Sequence, residues 1–156
     1  MCKFCWAISL ILFLAVSAMI YKFIISGAVV PSDDGRQALL LEPGERDLVL
    51  AEMRGFLESV QAITAAVGTE DMPQIVAAAR KVGAAAQNEV PGSLVGKLPL
   101  SFKRLGFDTH KQFDMLALDA EELGDPGHAL QQLSVLMQNC VACHAAYRID
   151  AMRDNE

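Results

Sequence analysis

From Phe4 to Tyr21 the chain runs 18 residues without a charged side chain, and after Lys22 it stays apolar through Val30. Apolarity of that length suits a helix that crosses a bilayer, for which about 20 residues suffice. Pro31 to Gly44 opens with Ser32-Asp33-Asp34-Gly35 and closes with Pro43-Gly44, the composition of a linker, although Ala38 to Leu41 inside it is apolar enough to pack on something. Beyond it apolar residues recur at helical steps and no segment sustains the alternation of a strand. A first helix is predicted from about Glu45 to Val67, with Val49, Met53, Phe56, Val60, Ile63 and Val67 on one face. Thr69 is the candidate cap of a second, with Met72, Ile75, Ala79, Val82 and Ala86 on its inner face and Pro91-Gly92 as its stop. Pro91 to Gly106 reads as a long connection, followed by a third helix from about Asp108 to Leu123. Gly124-Asp125-Pro126 supplies a stop and a restart, and a fourth helix carries Leu130, Leu133, Met137, Cys140, His144 and Tyr147 along one face to about Ala151. The pattern predicts an all-α chain: an antiparallel four-helix bundle preceded by an N-terminal transmembrane or signal helix. Its divisions are 1–30 for the anchor or signal, 31–44 for the linker and 45–156 for the folded domain.

The apolar start admits two readings. A cleaved secretory signal would use a small-residue site such as Val16-Ser17-Ala18 or Ser26-Gly27-Ala28. An uncleaved anchor keeps the whole stretch as a helix with Lys22 at the interface, and the length of the run favours it. Charge narrows the partners. The 156 residues carry a net charge of −6, and without Lys3 and Lys22 the remainder holds 19 carboxylates against 11 Lys and Arg. No cluster of cations is arranged to neutralise phosphates, so nucleic acid is not expected; a basic protein partner or a neutral small ligand fits better.

The candidate chemistry sits near the other end, at Cys140-Val141-Ala142-Cys143-His144. On a helix turning roughly 100° per residue, Cys140, Cys143 and His144 fall within an arc of about 100°. Two thiols and an imidazole therefore face the same way and can meet one flat ligand. The spacing is that of a c-type haem attachment site: thiols add across two porphyrin vinyl groups and the imidazole reaches the iron. Two other readings of a Cys-x-x-Cys pair stand beside it. A thioredoxin-like redox motif belongs at a strand-to-helix turn, and no strand pattern precedes Gln138; a zinc site needs about four ligands, and no second pair lies in the segment. Cys2-Lys3-Phe4-Cys5 repeats the spacing but is followed by Trp6, so it is read as incidental or as a lipidation site. Attachment of haem c in bacteria takes place outside the cytoplasmic membrane, which puts the domain on the periplasmic side of the inner membrane, anchored by the N-terminal helix or free if that segment is cleaved.

The stretch Cys140-Val141-Ala142-Cys143-His144-Ala145-Ala146-Tyr147-Arg148 resembles the signature of the cytochrome c-prime family and its low-spin relatives, Cys-x-x-Cys-His-x-x-Tyr-Arg on the last of four helices. Helix order and lengths extend the resemblance over roughly residues 45 to 150, but only the nine-residue motif is specific. The resemblance implies one covalent haem c, His144 as proximal ligand, and Tyr147 and Arg148 beside the haem. It further implies a periplasmic electron carrier with a redox protein partner, or a protein that binds a small gas such as nitric oxide or carbon monoxide, and often a homodimer through the first two helices. In such proteins the first helix covers the distal face, where a methionine gives a six-coordinate carrier and a leucine leaves the iron open.

Met53 on the inner stripe of the first helix is the candidate sixth ligand; the alternatives are that it only fills core while Leu50 or Leu57 faces the iron. Met137, Met115 and His110 are weaker candidates. Tyr147 is read as packing on the porphyrin or simply in the core, and Arg148 as a propionate partner or a complement to the helix dipole. Arg46, Arg54, Lys97, Lys103 and Arg104 read as solvated cations, and His128 as exposed. No Ser/His/Asp set, glycine-rich phosphate loop or pair of catalytic acids argues for an enzyme.

Overall fold

The computed structural model describes residues 3–152. Helix α1, Lys3–Ile20, passes into a π-helical turn, Tyr21–Ser26, giving 24 residues of mean hydropathy 2.4 in the most apolar window with none of that window buried. At about 1.5 Å per residue this run is long enough to cross a hydrocarbon slab of about 30 Å, and a secretory signal has the same character.

The span meets the folded body with no slack. Gly27 turns the chain at φ 66°, and a Cβ there would stand 2.5 Å from the Lys97 carbonyl oxygen and 2.6 Å from Pro99 N, so the backbone approaches where only glycine fits. The next amide, Ala28 N–H, donates to that same Lys97 carbonyl at 2.6 Å.

Residues 31–44, expected as a linker, are instead built into the body through a sheet. Strands β1, Val29–Pro31, and β2, Gln37–Leu41, pair antiparallel, with Val29 opposite Leu39. β2 pairs on its other edge, in parallel, with β3, Tyr147–Ala151, in the register Gln37 to Tyr147 through Leu41 to Ala151. The last long helix accordingly ends at Ala146 and not near Ala151. The cause is tertiary: Ala38, Leu39 and Leu41 are buried, and a central strand needs a partner on each edge to satisfy its backbone groups. Tyr147 and Ile149 are good strand formers once that edge is offered.

The helices follow their end signals. Pro43 starts α2, Pro43–Gly68, where Glu45 accepts from the Glu42 N–H at 3.1 Å and Val49, Phe56, Ser59, Ile63 and Ala66 form the buried stripe. α3, Met72–Arg80, is capped by Asp71, which accepts from the Gln74 N–H at 3.1 Å, and not by Thr69. It also stops short of Ala86. The Asp114 carboxylate accepts the Ala84 N–H at 2.9 Å and fills the space where a Gly83 side chain would be, so a separate 3-10 turn, Ala84–Glu89, begins there.

The supposed long connection Pro91 to Gly106 is mostly helical. α4, Gly92–Lys97, is followed by α5, Leu100–Leu123, which begins eight residues earlier than the apolar stripe suggested because Leu94, Leu98 and Phe102 are drawn into the core. Gly124 at φ 61° ends α5, and Asp125 accepts from the Gly127 and His128 N–H groups to open α6, Pro126–Ala146.

The result is a mainly helical chain with one short sheet and two apolar cores. The first gathers Phe56, Ile63, Ile75, Phe113, Leu116, Leu133 and Leu136 from α2, α3, α5 and α6, with the Phe56 and Phe113 rings stacked at 5.6 Å. The second joins Leu39 and Leu41 of the sheet to Leu94, Phe102 and Tyr147, with Phe102 and Tyr147 edge to face at 5.4 Å. Met53 packs against both. The sheet is thus part of the core, and Leu39→Ala should lower unfolding free energy by about 2–5 kcal/mol, against less than about 0.5 for exposed Leu123→Ala, in denaturant titrations of the two variants.

Candidate functional site

A pocket of about 610 Å³ opens where the two cores meet. α2 contributes Leu50, Met53, Phe56, Leu57 and Val60; α5 contributes Phe102, Leu105 and Thr109; the last two turns of α6 contribute Cys140, Cys143 and His144. The three residues of the Cys-x-x-Cys-His motif therefore share one pocket wall, as helical spacing required, and Met53 lines the same space from α2. Its volume lies within the range of about 300–1,000 Å³ usual for small-molecule and cofactor sites. Leu57 and Val141 on its rim are each 70 % exposed, an apolar margin facing solvent.

Exposure grades along the α6 wall. Cys140 and Cys143 are half-buried and unpaired, and His144 is exposed. Burial raises both thiols, Cys143 to about 11, where the neighbouring Cys140 adds to the effect. Thiol–disulfide catalysts lower the pKa of the attacking cysteine, so these surroundings keep both sulfurs as neutral thiols and run against that chemistry. Among the described residues no group of three or more His, Cys, Asp or Glu side chains converges as a metal cage. The motif's donors are spread along a wall and do not surround a point.

Tyr147 and Arg148 do not line the pocket. Because β3 replaces the expected last helical turns, Tyr147 turns onto Phe102 and pairs its hydroxyl with Ser101 Oγ. Arg148 donates to Asp150 at 3.1 Å and to Ser32 Oγ at 3.2 Å, and lies 3.6 Å from Asp34.

Two residues that the local patterns did not single out bear on the site. Arg36, in the turn between β1 and β2, donates to the backbone carbonyls of His144 and Tyr147, each at 3.4 Å. It thereby occupies acceptors that the end of α6 leaves open. Arg36 is held in turn by Asp34, whose carboxyl its hydrogen bonds bring down to about 2. Glu52 lines the pocket and meets His110 Nε2 at 3.0 Å, while His110 Nδ1 lies 2.8 Å from the Val82 carbonyl oxygen. No motif marks either contact, since 108 and 58 residues separate the partners.

The remaining candidates disperse. Met137 lines the pocket on the thiol-bearing helix, and Arg54 lines it from α2. Met115 is exposed outside the pocket lining. His128 lies 3.6 Å from Asp119, Arg46 3.7 Å from Asp47, and Lys97 2.7 Å from Glu45. Lys103 donates to the Phe23 and Ile24 carbonyls, and Arg104 is exposed.

His110 is 3 % exposed, and burial opposes its charge, but the Glu52 carboxylate and the Val82 carbonyl outweigh that and raise its pKa above 6.5. A raised folded pKa stabilises most below the unfolded value and loses that contribution as pH climbs through the folded one. Thermal midpoints should therefore fall more steeply between about pH 6 and 8 in the parent chain than in His110→Gln.

No family model, curated protein or solved structure matches this chain.

Proposed function

We propose that this chain is a membrane-tethered c-type cytochrome that carries single electrons through one covalent haem. The observation that carries the proposal is the shared pocket: Cys140, Cys143 and His144 along one apolar wall, with Met53 lining the same space from another helix. The residues fit a flat apolar ligand. Half-buried neutral thiols spaced along a helix suit two attachment points on one edge, and the volume and lining suit burial of a macrocycle. Cys140 and Cys143 would each hold the group by addition of S–H across a vinyl C=C, sulfur to one carbon and hydrogen to the other, with no change in electron count. His144 and Met53 would supply the nitrogen and sulfur donors that hold its iron. A haem so held supplies one-electron ferric/ferrous chemistry.

The chain's own residues set the conditions for it. Phe56, Val60 and Phe102 would exclude water from the group, and a soft thioether donor from Met53 would favour the ferrous state. Arg36 fixes the end of α6 and so the bearing of His144. The apolar rim at Leu57 and Val141 offers a contact for a redox partner, and the acidic net charge favours a basic one. α2, α3, α5 and α6 serve as the four helices of a haem bundle in which α3 is shortened. The N-terminal helix holds the domain at the periplasmic face of a bacterial inner membrane, and α2 with α3 is the face for a second copy.

A second reading has its own support, because Leu50 and Leu57 line the same α2 wall as Met53. With a leucine over the iron the protein would bind nitric oxide or carbon monoxide without displacing a ligand. Both readings are tested on protein made with a cytochrome c maturation system. Intact mass and a pyridine haemochrome spectrum should show one covalent haem that is lost in the Cys140→Ala, Cys143→Ala double variant. Met53→Ala should convert a low-spin spectrum to high spin; a parent already high spin and quick to take carbon monoxide selects the gas-binding reading, and a parent with no added haem refutes both.

A further inference from the structure

The end of the N-terminal span carries a second cleft. It measures about 410 Å³ and is lined by Lys22 and Phe23 from the span, by Ser93, Gly96 and Lys97 from α4, and by the backbone around Gly27. Its place along the chain fixes its depth. The 24-residue apolar run rises about 36 Å, so when its first turns sit at one face of a slab of about 30 Å, Lys22 to Ser26 reach the phosphate level of the other.

Two glycines keep the cleft open. Added Cβ atoms would meet nothing within 4 Å at Gly92 and only the Phe23 ring, at 3.9 Å, at Gly96. Neither has a positive φ. Neither turn geometry nor backbone crowding therefore calls for glycine in this six-residue helix, and at Gly96 glycine is a poorer helix former than alanine. At Gly96 what is preserved is volume beside Phe23.

The charge around the cleft is cationic in an otherwise acidic chain. Lys22 Nζ spends one donor on the Gly27 carbonyl at 3.2 Å, and Lys103 bonds the Phe23 and Ile24 carbonyls. Lys97 faces Glu45 at 2.7 Å and Glu42 at 3.8 Å. Lys22 and Lys97 line the cleft and Lys103 lies beside it; Lys97 is the one that meets carboxylates, so the unneutralised lining charge is at Lys22, above an apolar floor. That pairing of a cationic rim with an apolar floor at headgroup depth matches one class of molecule.

We propose that this cleft binds an anionic phospholipid, with the phosphate at Lys22 and the glycerol and upper acyl carbons against Phe23 and Gly96. The proposal rests on the span crossing a membrane, which is checked first: the full-length mass must survive isolation, and the protein must stay with membranes after a carbonate wash. If it does not, the anchor reading falls and the lipid proposal falls with it. On protein that passes, native mass spectrometry after exchange into mixed phosphatidylglycerol and phosphatidylcholine nanodiscs should show retained phosphatidylglycerol in preference to phosphatidylcholine. Gly96→Leu, which fills the cleft, and Lys22→Gln, which removes a rim charge, should each lose that adduct while keeping the parent's melting transition in detergent. Equal retention of the two lipids, or an unchanged adduct in both variants, overturns the proposal. So does displacement of the phosphatidylglycerol adduct by inorganic phosphate alone, which would assign the site to a free anion.

Discussion

Parallel pairing between Gln37–Leu41 and Tyr147–Ala151 is the constraint on which the rest of the architecture depends. Parallel strands place no turn between them, so the whole helical body is the crossover that joins β2 to β3. The pairing ends α6 at Ala146, immediately after the motif, and draws the chain leaving the N-terminal span into the core through Leu39 and Leu41. It also brings the β1–β2 turn close enough for Arg36 to reach the His144 and Tyr147 carbonyls. Two regions that look independent along the sequence thus share one set of hydrogen bonds.

The pocket is a consequence of having two cores. Stacked Phe56 and Phe113 organise one, Phe102 against Tyr147 the other, and Met53 touches both from the middle of α2. A helix end that must serve a strand on one side and a bundle on the other leaves space between them. Close packing elsewhere, with Ile63, Ile75, Phe113 and Leu116 fully buried, keeps that space from collapsing. The Glu52–His110 contact sits at its edge and carries a titratable pair from the lining into the core.

How much of this was legible in the sequence depended on the range of the interaction. End signals such as Asp125-Pro126 and Gly124 act within a turn, and the helix start and stop they mark are found where they fall. The common face of Cys140, Cys143 and His144 follows from helix geometry alone, and all three line the pocket from α6. The short α3 was not legible, because Asp114 ends it from another helix, 30 residues away from Ala84. Nor was the sheet: Ala38 to Leu41 is uniformly apolar and too brief to alternate, and Tyr147 to Ala151 continues a helical period until a strand edge captures it. Tyr147 and Arg148 left the pocket for the same reason.

The junction at Gly27 has a mechanical consequence. A head group on a slack leash sweeps a wide cone and meets its neighbours at many heights. Here two residues, Gly27 and Ala28, separate the apolar rod from the β-edge, and both are held against the backbone of Lys97 to Pro99. In a bilayer the body would hold one tilt and one altitude, leaving spin about the rod and lateral drift as its free motions. Any encounter there would become a two-dimensional search, in which height above the lipid decides whether contact occurs.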